Sequence, residues 1–268
     1  MISEDVRRFA EDPSAYGEIA ADSGYERVLT ESYCVLFGSV PTFTSVSRLR
    51  LDPDDVAEAI AEIRALVADR GHREAMWWVG PSATPADLAD RLRVHGLVPD
   101  ERAGSEPHAT TMVLTREPPA APEGVEARRV ADLDEFRLAN RIAGAAFGEP
   151  ESEIAAWDAI AENRFAAERA GLAPRTYLGW LEGEPAATAR AVFDGTCPAV
   201  SMMSGCVLPH ARGRGLYRAL VRARWEDAVA AGTPALTTQA GVMSRPILER
   251  FGFEPIAEQE VLLDPATC

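Results

Sequence analysis

The residues best suited to chemistry are gathered in one short stretch, His210-Ala-Arg-Gly-Arg-Gly215, immediately ahead of a helix-forming run that begins at Leu216. Gly213 and Gly215 let the backbone turn sharply and come close to a ligand. The unpaired N–H groups of a first helical turn then point outward as anion donors. Arg212, Arg214, Arg218, Arg222 and Arg224 follow with no acidic residue among them, on a chain whose formal net charge is −15. Such a run is either a solvated helix face or a set of partners for a diphosphate and a ribose phosphate. Two familiar phosphate loops are excluded. There is no Gly-Lys-Ser/Thr, and Arg218 stands where a dinucleotide fingerprint needs its third glycine.

The elements that must hold this cradle are legible on either side of it. An apolar run from Ala199 closes at Leu208, which Pro209 stops because proline cannot donate a ladder hydrogen bond. After the cradle, Leu216, Leu220 and Ala223 make one apolar stripe and Tyr217, Val221, Trp225 and Ala228 another, so the helix is expected to pack against a sheet and beneath other structure. This strand, loop and helix resemble the pyrophosphate loop of the GNAT acetyltransferases, Gln/Arg-x-x-Gly-x-Gly/Ala, with Gly213 and Gly215 matching and His210 in the Gln/Arg place. A second stretch, Ser244-Arg-Pro-Ile-Leu-Glu-Arg-Phe-Gly-Phe253, resembles the family's Asn-x-x-Ala/Ser-x-x-Leu-Tyr-x-x-x-Gly-Phe. Ser244, Ile247, Gly252 and Phe253 match, while Gly241 and Leu248 replace Asn and Tyr.

The resemblance implies an α/β mixed sheet of the GNAT type and acetyl-CoA as co-substrate. Cys206, Val207 and Leu208 would then line the pantetheine arm. Arg212, Gly213, Arg214, Gly215, Leu216 and Tyr217 would hold the diphosphate, and Ser244 would lie near the thiol end. It also implies a fourth-strand N–H between Met202 and Ser204 that polarises the thioester carbonyl. The proton-transfer groups stay open. Ala199 and Val200 occupy the region where the family often carries a carboxylate base, which leaves Glu149, in the break Gly148-Glu-Pro150, as either base or helix cap. Ser244 is either a proton relay or the cap of the following helix. Tyr217 either narrows the thiol channel or packs as core.

Around this site the pattern reads β-α-α-β-β-β-α-β-α-β from Val125 to Asp264. The helices run over Leu133 to Phe147 and Ile154 to Ala170, with a hairpin around Glu182-Gly-Glu184. Ahead of it lies a proline-rich stretch, so the expected domains are 1–117, a linker at 118–124, and 125–268. Residues 1–32 read as polar helical pieces. Strands are expected at Tyr33–Gly38, Phe43–Leu51, Ala75–Gly80 and Thr110–Leu114, and helices after Asp52 and Thr84.

The first half parallels the second as a repeat: the Trp77-Trp78 strand, the Pro85 helix and His95-Gly-Leu97 match the Leu236 strand, the Pro246 helix and Phe251-Gly-Phe253. Its counterpart of the cradle, Leu51-Asp-Pro-Asp-Asp-Val56, has no Gly-x-Gly and offers carboxylates where phosphates would sit. It is therefore expected to be a degenerate GNAT-like half without CoA.

The acidic balance argues against nucleic acid as a partner and favours a cationic or neutral amine, small molecule or peptide. No apolar run approaches a membrane span, so no membrane partner is expected. Cys34, Cys197, Cys206 and Cys268 lack metal-site spacing, so no metal is expected and a reduced, cytoplasmic setting is. A monomer or homodimer is expected. The function read from all this is N-acetyl transfer from acetyl-CoA to an amine, with a catalytically silent acyl-CoA sensor as the second reading and a structural protein as the third.

Overall fold

The computed structural model describes residues 2–19, 21, 23–38, 40–102 and 105–265, so Cys268 lies outside the described residues. The first half contains α1 (Glu4–Glu11), β1 (Glu26–Leu29), β2 (Cys34–Phe37), β3 (Thr44–Ser47), α2 (Val56–Asp69), β4 (Ala75–Val79), α3 (Leu88–Val94), β5 (Val98–Pro99) and β6 (His108–Leu114). The second contains β7 (Val125–Arg129), α4 (Leu133–Phe147), α5 (Glu151–Ala159), α6 (Ala161–Arg169), β8 (Arg175–Leu181), β9 (Glu184–Val192), β10 (Val200–Val207), α7 (Leu216–Ala230), β11 (Leu236–Ala240), α8 (Arg245–Phe251) and β12 (Glu254–Asp264). No helix among the described residues is long and apolar enough to cross a membrane.

Helix ends follow local chemistry. The Asp132 carboxylate accepts the Glu135 N–H at the start of α4, and Gly148 at φ +77° closes it. Two expectations fail locally. Glu26–Leu29, read as part of a helical stretch, is a strand because Val28 and Leu29 pair with Val35 and Cys34, a non-local partner that helix propensity does not register. The helix expected from Ile154 to Ala170 is two, broken at Ile160, whose backbone serves as cap to both.

All strands join one twelve-stranded sheet in the order β1-β2-β3-β4-β12-β6-β11-β10-β9-β8-β7, with β5 beside β12. In this order the strands of 1–117 and 125–268 interleave. The last strand of each half has crossed to the other: β6 pairs antiparallel with β11, and β12 pairs antiparallel with β4. The two exchanged strands also pair with each other through Gln259↔Ala109 and neighbouring positions. Neither half lacks a final strand, because each borrows one.

The exchange reaches the cores. Met112 and Leu114 of β6 are fully buried with Leu216, Leu220, Leu236, Leu248 and Phe253. Leu262 of β12 is fully buried with Trp77, Leu88, Leu92, Ile60 and Ile63. In the C-terminal sheet, alternate residues of β8 define two covered faces. Leu178 packs with Phe136 and Ile142 of α4, while Gly179 lies against Leu216 and Leu220 of α7. The α7 face and the α4–α6 face are therefore opposite sides of one sheet.

Candidate functional site

The cradle sits at the end of two strands that separate. β10 runs parallel to β11 but pairs with it only at Val200↔Leu236 and Ser201↔Thr237. Its other edge stays paired to β9 through Val207↔Ala187, with a bulge between Met203 and Cys206 and Ser204 at φ +51°. From Met202 onward the β10 edge that faces β11 has no ladder partner among the described residues. The same holds for the β11 edge from Thr238 to Ala240. A backbone edge of this kind accepts an extended chain bearing amides of its own.

The opening leads straight to the cradle. Leu208 is followed by a single 3-10 turn at Pro209–Ala211, and α7 begins after Gly213 and Gly215 at φ +75° and +94°. Both glycines thus take left-handed conformations that side-chain-bearing residues resist. A Cβ on Gly213 would meet nothing within 4 Å, whereas one on Gly215 would run into the Pro122 ring, whose Cδ would be 2.8 Å away. Gly213 faces open space where a ligand can approach, and Gly215 makes room for the 118–124 segment.

Arg212 and Arg214 are exposed, Arg212 donating to Val207 O and Arg214 pairing with Glu182. Further along α7, Arg222 lines a pocket of about 540 Å³ with Arg116 and Arg250. Arg224 departs from the expected phosphate-facing run. It is buried against the sheet and donates to Leu220 O and Arg190 O.

The matching place in the first half is shut. β3 and β4 likewise pair at only two positions, Ser45↔Met76 and Val46↔Trp77, and Arg48 at φ +53° repeats the Ser204 kink. The segment after β4 then closes the gap: Thr84 N–H donates to Leu49 O at 3.1 Å, and Leu51 N–H to Thr84 O at 3.1 Å. Arg50 adds bonds to Ser82 Oγ and Asp12 Oδ2. The acidic counterpart of the cradle folds on itself, with Asp54 N–H donating to Asp52 Oδ1.

The candidate proton-transfer residues stand apart, with no hydrogen bond joining Glu149, Ser244 and Tyr217. Tyr217 lies on β10 itself: a Cβ on Gly205 would be 2.9 Å from its ring, which also meets Phe251 at 6.3 Å. Burial raises its phenol pKa. Ser244 stands at the N-cap position of α8, where its carbonyl accepts the Leu248 N–H, but its Oγ donates to Gly241 O and accepts no helix N–H. Burial, then Glu153, raises the Glu149 carboxyl above the usual range. The Cys206 thiol is pushed up to about 11 by burial, so it is largely un-ionised at neutral pH and a poor nucleophile.

No family model matches this sequence, and no curated protein matches it. Solved structures do. A GCN5-related N-acetyltransferase from Kribbella flavida is 22% identical, with a TM-score of 0.70 over 99% of this chain and 97% of that one. A GCN5-related N-acetyltransferase from Sphaerobacter thermophilus is 18% identical, with a TM-score of 0.60 over 88% and 81%. A tandem GNAT protein from the clavulanic acid biosynthesis pathway, solved without AcCoA, is 18% identical, with a TM-score of 0.59 over 87% and 78%.

The chain has a tandem GNAT fold. Within that fold Leu248, at the position where the family often carries tyrosine, is completely buried in the C-terminal core. Leu248→Tyr should therefore overpack the core and lower stability by about 1–3 kcal/mol, read as a lower melting temperature. A variant as stable as the parent and faster in turnover would contradict this packing.

The turn ahead of α8 holds a residue the sequence did not flag. Glu106 accepts the Val242 N–H and fills the space beside Gly241, which explains a glycine there. Arg190 was also missed. Its signal was available, as one charged residue inside the apolar strand Pro185 to Phe193.

Proposed function

We propose that the C-terminal half binds acetyl-CoA and transfers its acetyl group to an amine. The observation that carries this is the contrast between two copies of one motif. The β10–β11 opening ends in an arginine-rimmed left-handed glycine cradle, while the β3–β4 opening is sealed by Thr84. The residues fit the donor. An unladdered β10 edge suits the amides of a pantetheine arm, and the N–H groups from Gly213 to Tyr217 suit its diphosphate. Arg116 and Arg250 suit a further phosphate, beside Arg222, which is paired with Glu117 and Glu226.

Acetyl-CoA brings a thioester, an activated acyl group. The chain's own part is to position and to manage charge. Backbone N–H groups around Met203 and Ser204 stabilise the carbonyl oxygen as negative charge develops, and the amine is held for direct attack. Glu149 takes the amine proton. The thiolate departs without a side-chain acid, since a thiol of pKa about 8.5 is a tolerable leaving group near neutral pH.

Calorimetric titration tests the donor assignment: one acetyl-CoA per chain is expected, and two would refute the closed first half. Thiol release over a panel of amines tests the chemistry. Tight binding with no release from any amine would replace transfer by acyl-CoA sensing.

Glu149 makes its own prediction. A raised carboxyl pKa means the base forms only as pH climbs through it, so kcat/KM should fall on the acid side. Glu149→Gln should abolish that limb and cost roughly 10²- to 10⁴-fold in turnover. Glu153→Gln, by removing a neighbouring carboxylate, should shift the limb to lower pH. An unchanged pH profile in both variants would dismiss Glu149 as the base.

A further inference from the structure

Arg190 lies in the middle of β9, where every neighbour in sequence is apolar or small, and a guanidinium in such a strand needs a reason. Its Cα partner across the ladder is Met203, the residue at the β10 bulge. Its side chain turns to the α4–α6 face, where Nη2 donates to Asn140 Oδ1 at 2.6 Å. On that face a second arginine, Arg164 of α6, is only 6% exposed and donates to Tyr25 OH at 3.2 Å, with its guanidinium 5.2 Å from the Tyr25 ring centre. Tyr25 comes from the first half of the chain. An N-terminal residue thus meets the α4–α6 face of the C-terminal sheet.

Positive charge dominates this cluster. Among the described residues neither Arg164 nor Arg190 forms an ion pair with a carboxylate. After Tyr25, the carboxylate that acts on Arg190 is Glu168, whose Oε1 accepts the Thr176 N–H and faces Arg129 at 3.8 Å while its buried Oε2 has no hydrogen-bond partner. Asn140 is completely buried, and its Nδ2 donor has no partner. Burial alone would raise the Tyr25 phenol, yet the charges of Arg164 and Arg190 hold it below the usual tyrosine range. Burial, then Arg164, pulls the Arg190 guanidinium down. The cluster is not sealed, since Tyr25, Arg190 and Met203 each keep part of their surface exposed.

We propose that Arg164 and Arg190, with Tyr25 beside them, receive a carboxylate on the acceptor amine. The proposal rests on the acyl-transfer reading and names the acceptor's class, an amine that also carries an acid. Two planar guanidiniums with no paired acid match a carboxylate, and in this partly dry setting they favour one strongly. The preference runs against the net charge of −15. Charges farther away than about 8 Å are screened at physiological salt, so the local pair decides.

The test pairs kinetics with a direct binding readout. Thiol release is measured with matched acceptors, an amino acid panel and the corresponding amino acid amides. The acids should be preferred by roughly 10- to 100-fold in kcat/KM, the range expected for charged hydrogen bonds. In Arg190→Gln and Arg164→Gln that ratio should collapse towards one, and Arg190→Lys should restore part of it. Amides used as well as acids by the parent protein, or a ratio unmoved in both folded variants, would overturn the proposal.

Independently, acetate should give a saturable tyrosine ultraviolet difference spectrum. The signal should vanish in Tyr25→Phe and should not appear with chloride at equal ionic strength. No saturable change, or one produced by inorganic phosphate and not by acetate, would also overturn it. If acetyl-CoA fails to bind or no acceptor releases thiol, the transferase reading falls by itself, and the acetate titration still decides whether the arginines form a carboxylate site.

Discussion

Replacing Gly213 by valine should weaken acetyl-CoA binding by roughly a hundredfold or more while the protein still melts cooperatively. Gly213 sits at φ +75° with nothing within 4 Å of where a Cβ would be, so the harm is conformational and not steric. A β-branched residue resists this region by about 1–2 kcal/mol or more, and the loop relieves the strain by turning its N–H groups away from the diphosphate. Each hydrogen bond to a charged group contributes about 1.5–3 kcal/mol, so re-aiming two of them accounts for the expected loss. The open surface around Gly213 keeps the cost to folding small. Calorimetry with acetyl-CoA, alongside a thermal melt, decides the matter: wild-type affinity in a folded variant would refute the cradle. Gly215→Val is a poorer probe, because its side chain would also displace Pro122 and with it the segment joining the halves.

Neither half should fold when made alone. A chain of residues 125–268 lacks β6, which carries Met112 and Leu114 into the C-terminal core and pairs with both β11 and β12. Losing a fully buried side chain of this size costs about 2–5 kcal/mol, so two of them, with five ladder partners from Leu114 to Thr110, approach the whole stability of a domain. The first half alone loses Leu262 and leaves β4 as an open edge. Gel filtration and melting of the two pieces, separately and refolded together, test this. Cooperative unfolding and acetyl-CoA binding by isolated 125–268 would show that the exchange is dispensable.

The sequence determined what depends on neighbours along the chain. Pro209, the spacing of Gly213 and Gly215, and the apolar stripes of α7 are local signals, so the strand, cradle and helix were legible and with them the GNAT fold. The acidic counterpart at Asp52–Asp55 was legible for the same reason, as a missing glycine pair and an excess of like charge.

The tertiary structure decided what depends on which distant segments meet. β6 and β12 read as strands from their own residues, but nothing in an apolar alternation names its partner, and only packing sent each to the other half. The sealing of the first cleft by Thr84 was hidden too, because backbone hydrogen bonds between Leu49, Leu51 and Thr84 leave no mark in side-chain pattern. So was the cluster of Tyr25, Arg164 and Arg190. Its members come from three segments far apart in sequence, and their charges act on one another only because folding brings them together where water screens them less.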